Sequence, residues 1–400
     1  MKVDFGSPAL CQLIQEHISR SPQQRITFAD FMELALYHSQ HGYYGANLSQ
    51  LGFTGDFVTS SHLGKDFGEL LAEQFVEMWQ HLACPVPFQL VEMGPGQGLL
   101  ADAILSHLKT QYPDCLGAIH YTLIETSPAL KTAQQNRLQS WQVQGIPLNW
   151  CALQTLPCHT ITGCFFSNEL VDAFPVHRVT LTEVGLQEQY VITSTHTNAF
   201  FETVVGPLST PDLEHYFQQV GVALTLPPYP VGFTTEVNLA ALNWITDVAQ
   251  KLCQGYVLTI DYGYEADRYY RPTRSQGTLQ CYYQQAYHND PFINVGQQDL
   301  TAHVDFTALE KWGQQNGLEP LGKTPQGLFL MALGLGNRLN TLSQLQGTDR
   351  DTITYAIRKR ESLHQLINPM GLGNFTVLVQ GKGLKTASQR NLKGLSIPEM

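Results

Sequence analysis

Val91-Glu92-Met93-Gly94-Pro95-Gly96-Gln97-Gly98 is the stretch on which the fold turns. The apolar run Phe88 to Met93 leads into it and predicts a buried strand, while Leu99, Leu100, Ala103, Ile104, His107 and Leu108 after it predict one face of a helix. Glycines at 94, 96 and 98 permit a tight turn between the two and let a ligand approach the backbone closely. The helix that follows offers unpaired N–H groups and a positive dipole end. A nicotinamide-dinucleotide fingerprint would space its glycines G-x-G-x-x-G, but here the third comes one residue early and position 99 is Leu. That spacing favours S-adenosylmethionine (SAM), which presents a methionyl carboxylate and no pyrophosphate.

Strands and helices alternate outward from this turn. Ile119 to Ile124 predicts a second strand, ending at Glu125, which is placed to accept hydrogen bonds from both ribose hydroxyls. A helix over Leu130 to Gln139 follows, then strands at Pro147 to Leu153 and Gly163 to Phe166. A helix over Glu236 to Leu252, a strand at Gly255 to Ile260 and a last strand at Phe375 to Gln380 complete the pattern. Such alternation implies an α/β class with a doubly wound, mostly parallel sheet.

The expected organisation is a helical N-terminal segment over 1–86, an α/β domain over 87–383 and a polar, mobile tail over 384–400. In the first segment, residues 8 to 39 and Phe67 to Trp79 read as helical, and Cys84-Pro-Val-Pro87 marks the boundary. Two insertions are expected in the α/β domain. One, at about 176–235, holds antiparallel strands near Val179–Leu181, Tyr190–Ile192 and Phe200–Val204. The other, at about 263–301, is rich in tyrosine (269, 270, 282, 283, 287) and reads as a lid or binding loop.

Composition narrows the function. With 43% hydrophobic and 14% charged residues the 400-residue chain is not a disordered one. No apolar run reaches the length of a membrane span, so membrane insertion is not expected. A net charge of −11 repels phosphate backbones, which argues against nucleic acid as a partner. The N-terminus lacks the basic, apolar pattern of a secretory signal or the Arg-rich pattern of a transit peptide. Eight cysteines without a Cys-x-x-Cys pair suit a reducing, cytoplasmic location and give no zinc framework. His38 and His41 lack a third ligand, so no metal is expected.

Phe166-Ser-Asn-Glu-Leu-Val-Asp-Ala-Phe-Pro175 follows the fourth strand, and carboxyl ends of parallel strands are where ligands collect. Asn168, Glu169 and Asp172 are therefore the candidate catalytic residues: carboxylates would offset the charge of an amine or guanidinium acceptor, and the Asn168 carbonyl would position the nucleophilic nitrogen. Helix capping by Asn168 is compatible with that role. Asp261-Tyr-Gly263 ends the fifth strand on the same edge. Gly317-Leu-Glu-Pro-Leu-Gly-Lys-Thr324 spells a phosphate-binding loop, but a helical segment precedes it and Pro325 turns Thr324 away from helical angles, so it reads as a chance match.

Taken together, GDFVTSSHLGKDFGEL (55–70), EMGPGQG (92–98), NELVDAFPV (168–176), DYG (261–263), GTLQCYYQQAYHNDPFINVGQQDLTAHVDF (277–306) and MGLGNFTVL (370–378) resemble the MidA-type SAM-dependent methyltransferases of bacteria and mitochondria, over roughly residues 25 to 380. The resemblance implies a class I (Rossmann-like) methyltransferase fold. It implies SAM contacts from Glu92, Gly94, Pro95, Gly96, Gly98, Glu125 and Asn168, with the Thr59-Ser60 loop assisting. It also implies a protein acceptor methylated at arginine, since the mitochondrial relative is similar to a methyltransferase acting on a respiratory complex I subunit during assembly. A homodimer is a further expectation. The chain departs from the family pattern at Ser61-His62, where Pro-Glu is expected, at Gln97-Gly98-Leu99, where Arg-Gly-Thr is common, and at Gln284-Gln285, where basic or histidine residues are frequent. A non-catalytic SAM-binding assembly factor and a small-molecule methyltransferase stay open as alternatives.

Overall fold

Phe88, Leu90, Val91 and Met93 are all buried, with Glu92 buried between them, as a strand covered on both faces requires. The computed structural model describes residues 5–46, 60–196, 199–344 and 349–396, and in it this run is β1 (Phe88–Met93) of a seven-stranded sheet. The remaining strands are β2 (Ile119–Ile124), β3 (Leu148–Cys151), β4 (Ile161–Asn168), β5 (Leu252–Asp261), β6 (Glu319–Pro325) and β7 (Thr376–Lys382). Their order across the sheet is β6-β7-β5-β4-β1-β2-β3. β3, β2, β1, β4 and β5 pair in parallel, whereas β7 is antiparallel to both β5 and β6. Helices α1 (Asp66–His81), α2 (Leu99–Gln111) and α3 (Pro128–Val143) belong with this sheet.

The chain divides into two compact units, one of 58–169, 246–262 and 313–400, the other of 1–57, 170–245 and 263–312. The break thus falls near residue 57 and not at the expected residue 86, because α1 packs on the sheet. Its buried stripe carries Leu70, Leu71, Phe75 and Met78, and the Phe75 ring lies 4.8 Å from that of Phe166 in β4.

In the sheet unit, Lys323 and Thr324 stand in β6, opposite Leu378 and Val377 of β7. The phosphate-loop spelling is therefore a strand, with its backbone groups committed to a ladder. The tail also differs from expectation. A capping box pairs Thr386 with Gln389, Gln389 donates to His81 O and accepts from the Tyr256 hydroxyl through its backbone, and Leu384 and Leu392 are buried. Residues 384–396 are thus packed in place.

Gln380 in β7 is fully buried, and neither end of its amide has a partner among the described residues. A buried amide left unpaired costs about 1–3 kcal/mol. Gln380→Met, close in shape and free of that penalty, is expected to stabilise the protein by about 1–2 kcal/mol. Urea unfolding checks this, and an unchanged or lower midpoint would contradict it.

In the other unit, the expected helix over 8–39 is two helices, Pro8–Arg20 and Phe28–Tyr37. Pro22 interrupts them, and Thr27 restarts the chain with a capping box to Asp30. An antiparallel sheet holds Gly185–Thr193 paired with Ile26–Thr27, His177–Thr182 and Phe201–Gly206, and His177–Thr182 paired with Thr234–Val237. The Phe31 ring sits 5.5 Å from Phe201 and 5.2 Å from Phe292 in its core. Residues 263–301 are not structureless: they carry a three-stranded sheet (Ala286–His288, Gln280–Tyr283, Asp299–Thr301) and a helical turn. Tyr269 and Tyr270 are core residues, Tyr270 donating to the Tyr216 hydroxyl and Tyr216 to Asp305.

Candidate functional site

One rung of the sheet sets the site. Met93 of β1 pairs with Ile124 of β2 on one side and with Ser167 of β4 on the other. The next residue along each strand is therefore Glu125, Gly94 and Asn168, side by side at about 5 Å per strand. β5 extends the edge, since Ile260 pairs with Asn168 and Asp261 follows. Strand order reverses between β1 and β4, the position at which ligands settle beyond the carboxyl ends of such sheets.

The glycine turn runs out of β1 with Gly94, Gly96 and Gly98 all at positive φ (67°, 52° and 75°), which side chains resist. Gly98 closes the turn by donating to Pro95 O and stands at the N-cap of α2. Among the described residues, a Cβ at Gly96 would meet no atom within 4 Å beyond its chain neighbours, so the turn presents bare backbone.

Glu125 is held at both oxygens. Oε1 accepts from Ser127 N at 2.7 Å and Oε2 from Gln134 Nε2 at 3.0 Å. Burial raises its carboxyl above the usual range, and these bonds oppose the shift. The same Gln134 nitrogen donates to Gly96 O at 2.7 Å, which brings the turn and Glu125 onto one amide. Glu92 lies one residue below the edge, 2% exposed, with Oε2 accepting from the Tyr121 hydroxyl at 2.7 Å; burial pushes its carboxyl up to about 7.

On the β4 side, Asn168 Nδ2 donates to Glu169 Oε1 at 2.9 Å, and Ser60 N donates to the same oxygen at 3.2 Å. Ser60 is itself fully buried, its hydroxyl on Gln326 Oε1. Its N–H and hydroxyl thus bond Glu169 and Gln326. Asn168 Oδ1 is buried with no partner among the described residues. Glu169 adopts φ 52°, a left-handed conformation that costs a non-glycine residue about 1–3 kcal/mol and clusters at functional sites. Glu169 N, bonded to Ile260 O at 2.9 Å, fixes that turn.

Thr59 lies outside the described residues. Asp172 belongs to the other unit, where its backbone oxygen accepts from Ala302 N at 2.9 Å and its charge helps raise the Tyr44 and Tyr282 hydroxyls, burial being the larger cause for both. Sequence reading missed Gln134 and Gln326. For Gln134 a signal exists: it is the polar member of the buried stripe Leu130, Gln134, Leu138, Trp141 on α3. Gln326 has none, because its partners are up to 266 positions away.

The bare Gly96 backbone and the anchored Glu125 carboxylate fit SAM, the first by admitting its close approach and the second by offering acceptors to a ribose diol. When bound, SAM supplies a methyl group on an electron-poor sulfonium.

The comparisons agree with this chemistry. The sequence signature of an S-adenosyl-L-methionine-dependent methyltransferase family matches residues 70–324. The mitochondrial protein arginine methyltransferase NDUFAF7 of Rattus norvegicus is 29% identical over 96% of this chain and 87% of its own length. The Mus musculus protein of the same name is 30% identical over 85% of this chain and 77% of its own. A crystal structure of a superfamily member from Burkholderia thailandensis, bound to S-adenosyl-homocysteine, superposes with a TM-score of 0.81 at 27% identity, covering 96% of this chain and 94% of that one. With the signature spanning more than half its length, the chain belongs to the S-adenosyl-L-methionine-dependent methyltransferase family and is an α/β enzyme of that kind.

Proposed function

We propose that this methyltransferase acts on an arginine side chain of a protein, with its cofactor on the glycine turn and Glu125 and its acceptor at Asn168 and Glu169. The observation that carries the placement is the rung Ile124–Met93–Ser167, beyond which the three candidate groups stand on adjacent strands. The order β3-β2-β1-β4-β5, with an antiparallel β7 beside β5, supports a doubly wound, class I description. The names of the relatives support the arginine acceptor.

Gly94, Pro95, Gly96 and Gly98 would hold the methionyl end against backbone, and Glu125 the ribose. Asn168 Oδ1, an acceptor without a partner among the described residues, suits an N–H of the incoming nitrogen and would aim its lone pair. The Glu169 carboxylate offsets the guanidinium charge and can take the proton that the nitrogen sheds once its new N–C bond has formed. Asp172 is kept as a candidate on its place in the motif alone.

The test is methyl transfer from radiolabelled SAM to a lysate of the parent organism lacking the gene. A labelled band, absent with Gly96→Val and carrying methylarginine by mass spectrometry, is the expected result, with a respiratory-complex subunit the first identity to check. Label confined to small molecules, or no label with SAM binding intact, would overturn the protein-arginine reading.

A further inference from the structure

We infer that Gln134 is a positioning residue for cofactor capture, a buried amide that locks the glycine turn and Glu125 into one recognition unit. The inference rests on the cofactor placement proposed above. Gln134 is fully buried, and each face of its amide is used. Nε2 carries two hydrogens and has two acceptors, Gly96 O at 2.7 Å and Glu125 Oε2 at 3.0 Å, while Oε1 accepts from Trp150 Nε1 at 3.0 Å. Three elements distant in sequence, the turn after β1, the end of β2 and strand β3, therefore meet on one side chain.

Packing repeats the message. A Cβ on Gly98 would lie 3.4 Å from Gln134 Cγ, so the last glycine of the turn rests on the same residue. One turn further along α3, Arg137 Nε donates to Gln97 O at 2.8 Å, so α3 holds two consecutive carbonyls of the turn. Because a trans peptide points its C=O and N–H in opposite directions, drawing Gly96 O towards α3 turns the Gln97 N–H away from α3. The amide thus sets the orientation of the turn's peptides as well as that of the Glu125 carboxylate.

Only a neutral side chain with two donors and an acceptor satisfies this set. A carboxylate there would face a carbonyl and another carboxylate, and an apolar side chain would leave Gly96 O, Glu125 Oε2 and Trp150 Nε1 without this partner.

The test compares Gln134→Met and Gln134→Glu with the unaltered enzyme, measuring SAM affinity by calorimetry and steady-state kinetics from about pH 6 to pH 8. Both variants are expected to weaken SAM binding by about tenfold or more near pH 8, with kcat at saturating SAM within about twofold, because the loss lies in ground-state capture. For Gln134→Glu alone, affinity is expected to recover severalfold as pH falls towards about 6, since one carboxyl of the pair with Glu125 takes up a proton and donates again. The titratable groups on the surrounding elements are Glu92 on β1, His120 and Tyr121 on β2, Glu125 itself, Lys131 and Arg137 on α3, Asp102, His107 and Lys109 on α2, and Cys151 on β3; they are common to all three proteins, so only the difference between profiles is read.

Affinity unchanged in both variants, or a Gln134→Glu profile parallel to that of the unaltered enzyme, would overturn the inference. Should Gln134→Met fail to fold, the nearly isosteric Gln134→Glu still decides through its pH profile. Gly96→Val, run alongside, separates the two possible failures. If it too leaves affinity intact, the cofactor placement is wrong; if it abolishes binding while the Gln134 variants bind normally, only the positioning role fails.

Discussion

Gly96→Val is expected to abolish SAM binding, with affinity falling by more than about a hundredfold, roughly 3 kcal/mol. The geometry separates two contributions. A Cβ at Gly96 meets no atom of the described residues within 4 Å beyond its chain neighbours, so the substitution causes no clash with them, and a normal thermal melt is expected apart from local strain. That strain comes from φ 52°, where a residue with a Cβ pays about 1–2 kcal/mol and a β-branched one more. Gly96→Asn tells strain from occupancy, since asparagine tolerates left-handed angles but still places a side chain against the ligand. Both variants should lose binding. If Gly96→Asn binds SAM normally, the turn is not where the cofactor lies and the loss in Gly96→Val is backbone strain.

Asn168→Ala is the second large effect, expected to cut kcat by well over about tenfold while changing SAM affinity only a fewfold. Among the described residues the Asn168 side chain makes one hydrogen bond, from Nδ2 to Glu169 Oε1, and its buried Oδ1 has no partner. Truncation removes that acceptor and loosens Glu169, whose left-handed backbone already departs from where its intrinsic preference would place it. Glu169→Gln keeps the shape and removes the charge, so comparing the two divides alignment from electrostatics. Turnover at the normal rate in Asn168→Ala, measured with saturating SAM, would remove Asn168 from the catalytic set.

Much of the candidate site was legible because it is local. The turn at 94–98 joins a strand to a helix within a dozen residues, and glycine at three alternate positions is a statement about backbone angles that needs no knowledge of the rest of the chain. Glu125, Asn168 and Asp261 were readable for the same reason, each ending or following an apolar run that predicts a strand. The antiparallel strands of 177–206 were visible through alternation. Where the reading erred, burial was the cause. Tyr269 and Tyr270 look like a binding surface in a turn-rich stretch, yet they pack with Tyr216 and Phe217 in a core. The tail after Gly383 is polar by composition, but two leucines and one capping box are enough to anchor it.

What the sequence determined by itself is the run of strand, glycine turn and helix, the carboxylates and amides that end the strands, and through them the cofactor class and family. These follow from periodicities of two and 3.6 residues and from the backbone freedom of glycine, all of which act over a few neighbouring positions. Tertiary structure alone decided that β6 and β7 join the sheet antiparallel, that Asp172 and Glu169 fall in different units, and that Gln134 and Gln326 hold the site's parts. Hydrogen bonds such as those from Gln134 to Gly96 and from Ser60 to Gln326 close loops of 38 and 266 residues. Their partners are chosen by which strands lie side by side, and that choice belongs to the packing of the whole sheet.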